Sequence, residues 1–403
     1  MDSIVTQNRR LIHQKLEQAV ELLQAGGVDC WLTFVRETAV LRDPVLPFLC
    51  GGDLTWHSAL IVTRGGGKHA IVGSLERQGV AELEAYDSVT GYVEGIREPL
   101  VKLLDELSPR TLAVNYSPDS EIADGLTHGM FLVLQKILSQ AGFRGELVSA
   151  EPVISSLRAR KSPAELDRIK RAIAETLSIF ANVREFVRPG RSEAEIAQFM
   201  LGQVDQRGLT TAWERSHCPA VFTGPDTAEA HYRPTDRRVA PGHILNMDFG
   251  VRFEDYCSDL QRTWYIPEPG TANVPEEVQH GFATIVEAID RARREMRPGR
   301  TGVEIDAVAR NHIIDGGYDS FPHALGHQVG RFAHDGTALL GPLWEKYGMK
   351  PRLPLEEGMV FTLEPRLTIP GRGVVTIEEM VVVKEKGAVF LSEPQRDLWL
   401  SLG

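Results

Sequence analysis

Arg188-Pro189-Gly190-Arg191-Ser192-Glu193-Ala194-Glu195-Ile196 recurs downstream as Arg297-Pro298-Gly299-Arg300-Thr301-Gly302-Val303-Glu304-Ile305. Each copy predicts the end of one helix at Pro-Gly and the start of another through a capping box, Ser192/Glu195 and Thr301/Glu304. A second echo follows. Gly242 precedes Asp248 by six residues, and Gly358 precedes Glu364 by six. Between them run the strand-like stretches Ile244-Leu245-Asn246-Met247 and Val360-Phe361-Thr362-Leu363. Two copies of helix–helix–strand–strand, each ending in an acid-bearing hairpin, point to a duplicated α+β domain with one shared site.

The duplicated region is the second of two expected domains. Arg158–Glu165 reads as a linker entering a helix, with Ser162 as N-cap, Pro163 as first helical residue and Glu165 closing a capping box. The helix is expected to run to about Val187. Residues 1–155 form the expected first domain and 156–403 the second. In the first, Leu11–Gln24 predicts an amphipathic helix stopped by Gly26-Gly27. Cys30–Val35, Ala59–Thr63, Ala70–Val72 and Leu112–Val114 predict strands, and Gly129–Leu138 a helix. Gly65-Gly66-Gly67-Lys68 lacks the spacing of a phosphate loop and lies between strands, so it predicts a hairpin turn.

Composition excludes several classes. The 403 residues hold 44 Lys plus Arg against 55 Asp plus Glu, a net charge of −11, with 42% apolar residues. An acidic chain without a basic block argues against a nucleic-acid partner. No apolar run approaches the ~20 residues of a bilayer span, and the first ten residues lack the apolar core of a signal peptide. Four scattered cysteines without C-x-x-C spacing fit a reducing compartment, so a cytoplasmic location is expected.

The acids carry the chemistry. A turn at Phe253-Glu254 sets Asp248 opposite Asp259, with Cβ atoms about 4.5–5.5 Å apart. A turn at Pro370–Gly373 likewise sets Glu364 opposite Glu378. Paired carboxylates on apolar strands repel, and burial sharpens the repulsion. Something cationic must offset this, or one acid must hold a proton, and a bridging divalent metal does it well. His323, His327 and His334 crowd into Pro322–Asp335, where Gly326 and Gly330 disfavour a helix, and could converge on the same pocket. His231 is a further candidate. An oxygen-rich set with one imidazole suits two manganese ions, with zinc or cobalt as alternatives. Two such ions lower the pKa of a shared water. These residues imply metal-assisted hydrolysis and leave the substrate open.

At these positions the sequence resembles the creatinase/aminopeptidase P/prolidase superfamily, the pita-bread metallopeptidases. The resemblance is strong over about 155–403 and weaker before it. Asp248, Asp259 eleven residues later, His327 in His-x-x-Gly-His, Glu364 in Leu-Glu-Pro and Glu378 in Ile-Glu-Glu match the family's five metal ligands in order and type. The resemblance implies a pita-bread domain behind a smaller creatinase-like α/β domain, two divalent ions, and hydrolysis of Xaa-Pro bonds. It implies that Asp259 and Glu378 bridge both ions, that Asp248 completes one, and that His327 with Glu364 completes the other. It gives Glu364 the proton transfer, His334 and His231 contacts to the substrate and its developing oxyanion, and His323 the pocket after the scissile bond. A homodimer follows from the same source, with Trp56, His57 and Asp53 as candidates to cap a partner's site.

Two positions depart from the family pattern. Thr368 stands where a tyrosine is common and Thr376 where an arginine is common. Arg366, on the Glu364 strand face, and Arg372, in the turn, are candidates to supply the missing cation. The expected substrate is a small peptide with proline second. An Xaa-Pro dipeptidase is the first reading and an Xaa-Pro aminopeptidase the second. A creatinase-like amidinohydrolase and a non-catalytic binding module are disfavoured, because all five ligand positions are kept.

Overall fold

The computed structural model describes residues 4–225 and 233–401, with side chains from residue 8. Two compact units emerge, Met1–Arg158 and Ala159–Gly403.

The first unit is an α/β layer. After α1 (Ile4–Gly26) come β1 (Cys30–Val35), β2 (Ser58–Thr63), β3 (Lys68–Gly73), α2 (Arg77–Ala81), β4 (Ser88–Tyr92) and α3 (Arg97–Leu107). Then follow β5 (Thr111–Val114), α4 (His128–Gln140), β6 (Glu146–Ser149) and α5 (Glu151–Ala159). The sheet order is β4-β3-β2-β1-β5-β6. β2 runs antiparallel to both neighbours, and the remaining pairs are parallel. The Gly65–Gly67 stretch is a hairpin turn, closed by the Thr63 amide donating to the Gly67 carbonyl at 2.8 Å. Cys30, Leu32 and Phe34 alternate along β1 and bury one face against Leu100 and Leu104 of α3 and Met130, Leu134 and Ile137 of α4. Each large side chain so buried contributes about 1.5–3 kcal/mol relative to exposure.

The second unit is built twice. Its first half is α6 (Pro163–Phe186), α7 (Glu193–Gln206), β7 (Thr210–Thr211), β8 (Ala220–Thr223), β9 (Ile244–Phe249), β10 (Val251–Phe253), β11 (Tyr256–Cys257) and β12 (Leu260–Tyr265). The second half is α8 (Glu276–Glu295), α9 (Gly302–Asp315), β13 (Gly326–His327), β14 (Leu339–Leu340), β15 (Val360–Leu363), β16 (Arg366–Ile369), β17 (Gly373–Thr376) and β18 (Glu379–Val382). β19 (Val389–Phe390) and β20 (Trp399–Leu400) close it, on the edges of the β18 and β12 sheets respectively.

Helices α6, α7 and α9 all start with a capping box, at Ser162/Glu165, Ser192/Glu195 and Thr301/Glu304. The repeated Arg-Pro-Gly stretches make equivalent hydrogen bonds. Gly190 donates to the Val239 carbonyl and Val239 to that of Arg191, each at 2.8 Å. Gly299 donates to Leu355 at 2.9 Å and Leu355 to Arg300 at 2.7 Å. Gly190 and Gly299 share φ +88°. The preceding helices stop at Phe186 and Glu295, ahead of the Pro-Gly where the sequence placed their ends, because the residue before a proline disfavours the helical region. The core lies between α8 and α9 and the strands, with Phe282, Ile285, Ile305 and Ile313 packed on Phe361, Leu363, Val375 and Val381.

Candidate metal centre

Asp248 lies on β9, which pairs antiparallel with β12 and with β8. Its register differs from the sequence expectation. The turn falls at Glu254-Asp255, both at positive φ, 44° and 67°, the pattern of a two-residue hairpin turn. Asp248 therefore faces Gln261 rather than Asp259, and Asp259 falls opposite Gly250. The pair is diagonal. Moving the turn by one residue shifts each partner by two, so both acids keep the same face of the sheet. Glu-Asp carries no glycine or asparagine to advertise positive φ. Its strain is offset by ion pairs from Glu254 to Arg168 at 3.3 Å and from Asp255 to Arg331 at 2.9 Å. Gly250 permits the tight hairpin, since a Cβ there would overlap the Ser258 carbonyl oxygen.

The second hairpin has the expected register. Arg366 pairs with Thr376 and Ile369 with Gly373, and on the far side Leu363 pairs with Glu379. Glu364 and Glu378 occupy the gap between those ladders, opposite each other. The two hairpins are stitched together there. The Gln261 amide donates to the Glu378 carbonyl at 3.4 Å and the Glu378 amide to that of Gln261 at 3.2 Å. This bridge brings Asp259 beside Glu378. The second half repeats the β8–β9 pairing: the Glu364 amide donates to the Leu325 carbonyl at 2.8 Å, and Gln328 bridges to Phe361. His327 thus enters from the strand that corresponds to β8. Ligand atoms of Asp259, His327 and Glu378 all lie within 4.8 Å of one another. His327 Nε2 is 3.3 Å from Glu364 Oε1 and 3.7 Å from Asp259 Oδ2.

The electrostatics favour either bound protons or a cation. Burial pushes the Asp248 carboxyl up to about 7. Burial, then the charges of Asp248 and Glu364, raise Asp259. Burial with Glu378 and Asp248 raises Glu364, and burial with Asp259 and Asp248 raises Glu378. Burial lowers the His327 imidazole to about 3, with His334 adding to the effect, so His327 is neutral and able to ligate at physiological pH. Asp248 Oδ1 and Glu378 Oε2 are buried and accept no hydrogen bond. Buried carboxylate oxygens without donors are costly. Divalent metal fits this donor set. Four carboxylates and one imidazole are hard-to-borderline ligands, and the unsatisfied oxygens are those a cation would take. The side chains of His327 and Glu364 keep 15% and 19% exposure, so the cluster is reachable.

Neighbouring side chains position the ligands. Thr362 Oγ1 accepts from the His327 amide at 3.1 Å and donates to Glu364 Oε1 at 3.3 Å. The Asp259 amide donates to Met380 Sδ at 3.3 Å. Arg262 and Glu379, each 1% exposed, form a buried ion pair at 3.1 Å, and Arg262 also donates to the Glu378 carbonyl at 3.0 Å. On α9, Asp306 and Arg310 pair one turn apart. Asp306 accepts from the Leu325 amide, and Arg310 donates to the Phe321 and His323 carbonyls. Sequence reading missed Gln261, Thr362, Arg262, Asp306 and Arg310. Period-two placement of Thr362 beside Glu364 and the i, i+4 spacing of Asp306 and Arg310 were the available signals.

The other expected site residues divide. The rings of His334 and His327 lie edge to face, centroids 4.1 Å apart. His323 is held near 4 by burial, with the Arg366 guanidinium among its neighbours, and its Nδ1 lies 2.8 Å from the Ala324 carbonyl oxygen. Arg372 is engaged elsewhere, at 3.3 Å from Glu277 and 3.2 Å from the Gly242 carbonyl. Thr376 donates to Gln261 Oε1 at 2.8 Å, and Thr368 faces solvent. Trp56, in the first unit, is 55% exposed. Asp53 of that unit accepts from Arg42 and Thr38, and His57 stacks on Phe34. His231 lies outside the described residues.

A duplicated α+β domain enclosing a carboxylate–histidine cluster at the junction of its two hairpins defines a class of metal-site proteins. Within that class the chain belongs to metallopeptidase family M24, whose model matches residues 167–385, and its fold is the pita-bread fold behind a smaller N-terminal α/β domain. It is similar to the X-Pro aminopeptidase of Thermotoga maritima MSB8, with TM-score 0.69 and 26% identity over 93% of this chain and 98% of that one. It is similar to a prolidase of Thermococcus sibiricus, with TM-score 0.63 and 25% identity over 99% of each. It is 28% identical over 242 residues to an uncharacterized peptidase of Bacillus subtilis (strain 168). That last match takes in 60% of this chain and 63% of the relative's length.

Proposed function

We propose that this protein is a divalent-metal peptidase for Xaa-Pro bonds, acting first as a dipeptidase. The observation that carries the reading is the cluster of Asp248, Asp259, His327, Glu364 and Glu378 around buried oxygens that lack donors. These five residues would hold two ions, with manganese best suited to the donors. Bound there, the metal supplies Lewis acidity and a water that is nucleophilic at neutral pH.

The chain's own groups do the rest. Glu364 takes the proton of the attacking water and passes it to the proline nitrogen as the C–N bond breaks. His334, edge to face with His327, donates to the carbonyl oxygen as negative charge develops there. His323 and Arg366 flank the side that receives proline and its carboxylate. Thr376 is hydrogen-bonded to Gln261, so Arg366 takes the cationic role. His231 is assigned a substrate contact and Trp56 a capping role in a homodimer. Four buried free cysteines support a reducing, cytoplasmic setting. The Thermotoga maritima relative supports the second reading, an Xaa-Pro aminopeptidase for longer peptides.

Ala-Pro and Ala-Pro-Ala, compared under manganese, separate the two. A dipeptidase cleaves Ala-Pro by a wide margin. Equal or better turnover of Ala-Pro-Ala favours the aminopeptidase, and cleavage of neither refutes both.

A further inference from the structure

A cleft opens beside His334, walled by Thr210, Thr211, Trp213, Glu214, Arg252 and Phe332. We propose that this cleft receives the side chain of the residue ahead of the scissile bond, and that Arg252 selects an acidic one, aspartate or glutamate. The inference rests on the Xaa-Pro reading and names its preferred substrate.

Arg252 is rigidly placed. Its strand, β10, is the middle one of three, and Arg252 itself pairs with Cys257 on one side and Thr210 on the other. Its guanidinium carbon lies 5.4 Å from the Phe332 ring centroid. Cys257 and Phe332 bring no charge to it. Arg252 lines the cleft and keeps intermediate exposure, while its Nε is shielded and has no acceptor. A guanidinium at the wall of a cleft is met best by a carboxylate, through charge-assisted and often bidentate hydrogen bonds.

Among the described residues Glu214 is the one acid on the wall, and it is already engaged. It accepts from Ser216 Oγ at 2.5 Å and lies 3.6 Å from His217 Nδ1. Trp213 is fixed by its Nε1 donating to the His217 carbonyl at 3.0 Å. Trp213 and the half-exposed Phe332 provide apolar surface for the methylenes of a glutamate. His334 ties the cleft to the metal centre through His327. In the proposed function His323 and Arg366 serve the proline side, which leaves this cleft for the preceding residue.

The test compares kcat/KM for Glu-Pro, Gln-Pro and Lys-Pro on the manganese-loaded protein. Glu-Pro should exceed Gln-Pro by about tenfold or more, the size of a charge-assisted hydrogen bond. Arg252→Met should bring that ratio to near unity, Arg252→Lys should retain part of it, and Arg252→Glu should turn the preference toward Lys-Pro. Metal content and thermal midpoint of each variant confirm that it is folded. Equal turnover of Glu-Pro and Gln-Pro by the native protein overturns the inference alone, as does an unchanged ratio in folded Arg252→Met. Cleavage of no Xaa-Pro dipeptide overturns it together with the reading beneath it.

Discussion

Asp248 and Glu378 each bury a carboxylate oxygen that no donor meets, and this governs how the protein should respond to pH. In metal-free protein the Asp248 carboxyl is raised to about 7, so the folded state holds a proton that the unfolded chain releases near pH ~3.9. Stability from that proton is complete below the unfolded value and is lost as pH rises through the folded one. Asp259, Glu364 and Glu378 are raised in the same direction. The thermal midpoint of chelated protein should therefore fall between about pH 4 and pH 7. Manganese replaces those protons, so its stabilisation should grow over the same window. Differential scanning fluorimetry with and without manganese checks both trends; a chelated midpoint that climbs toward neutrality contradicts them. His334 gives a second residue-scale prediction. It is no ligand in this account, so His334→Ala should keep its metal while kcat falls about 10²-fold or more. Loss of metal in that variant would reassign the residue.

At the scale of elements, legibility followed locality. The capping boxes were readable because N-cap and N3 are only three residues apart and bond directly to each other. The β16–β17 hairpin was readable because Pro370-Gly371-Arg372-Gly373 carries its own turn chemistry. The β10–β11 turn was not, because Glu254-Asp255 takes positive φ for the sake of Arg168, Arg171 and Arg331, which are distant in sequence. The Gln261–Glu378 bridge, which joins the hairpins and so creates the site, leaves no local trace. Two predictions belong here. Ser192→Ala and Thr301→Ala remove matching caps and should each cost about 1 kcal/mol, lowering the thermal midpoint by roughly 2–4 °C without changing metal content. Gly250→Ala drives a Cβ onto the Ser258 carbonyl. It should displace Asp259 and lose metal by elemental analysis, or fail to fold; a stable, fully metallated Gly250→Ala would refute this view of the hairpin.

For the molecule as a whole, the duplication explains why the five proposed ligands, spread from Asp248 to Glu378 in sequence, are brought together. Each half brings a strand pair with an acid at either end, and the second half adds His327 from the strand that corresponds to β8. The sequence repeat announced two halves. Their assembly around the buried ion pair of Arg262 and Glu379 is tertiary, and no short motif records it. Arg372 shows the limit of proximity in sequence: one turn from the site in the chain, it binds Glu277 of α8 instead. Because the buried carboxylates of the two halves repel one another, a cation that binds the folded state should raise the unfolding free energy by mass action.

Elemental analysis of protein equilibrated with manganese and then desalted decides whether the carboxylate–histidine cluster holds metal. Native protein should hold about two equivalents per chain, and Asp259→Ala should lose nearly all of both metal and Ala-Pro turnover. Native protein that binds no divalent metal, or an Asp259→Ala variant that keeps its full complement, would contradict this.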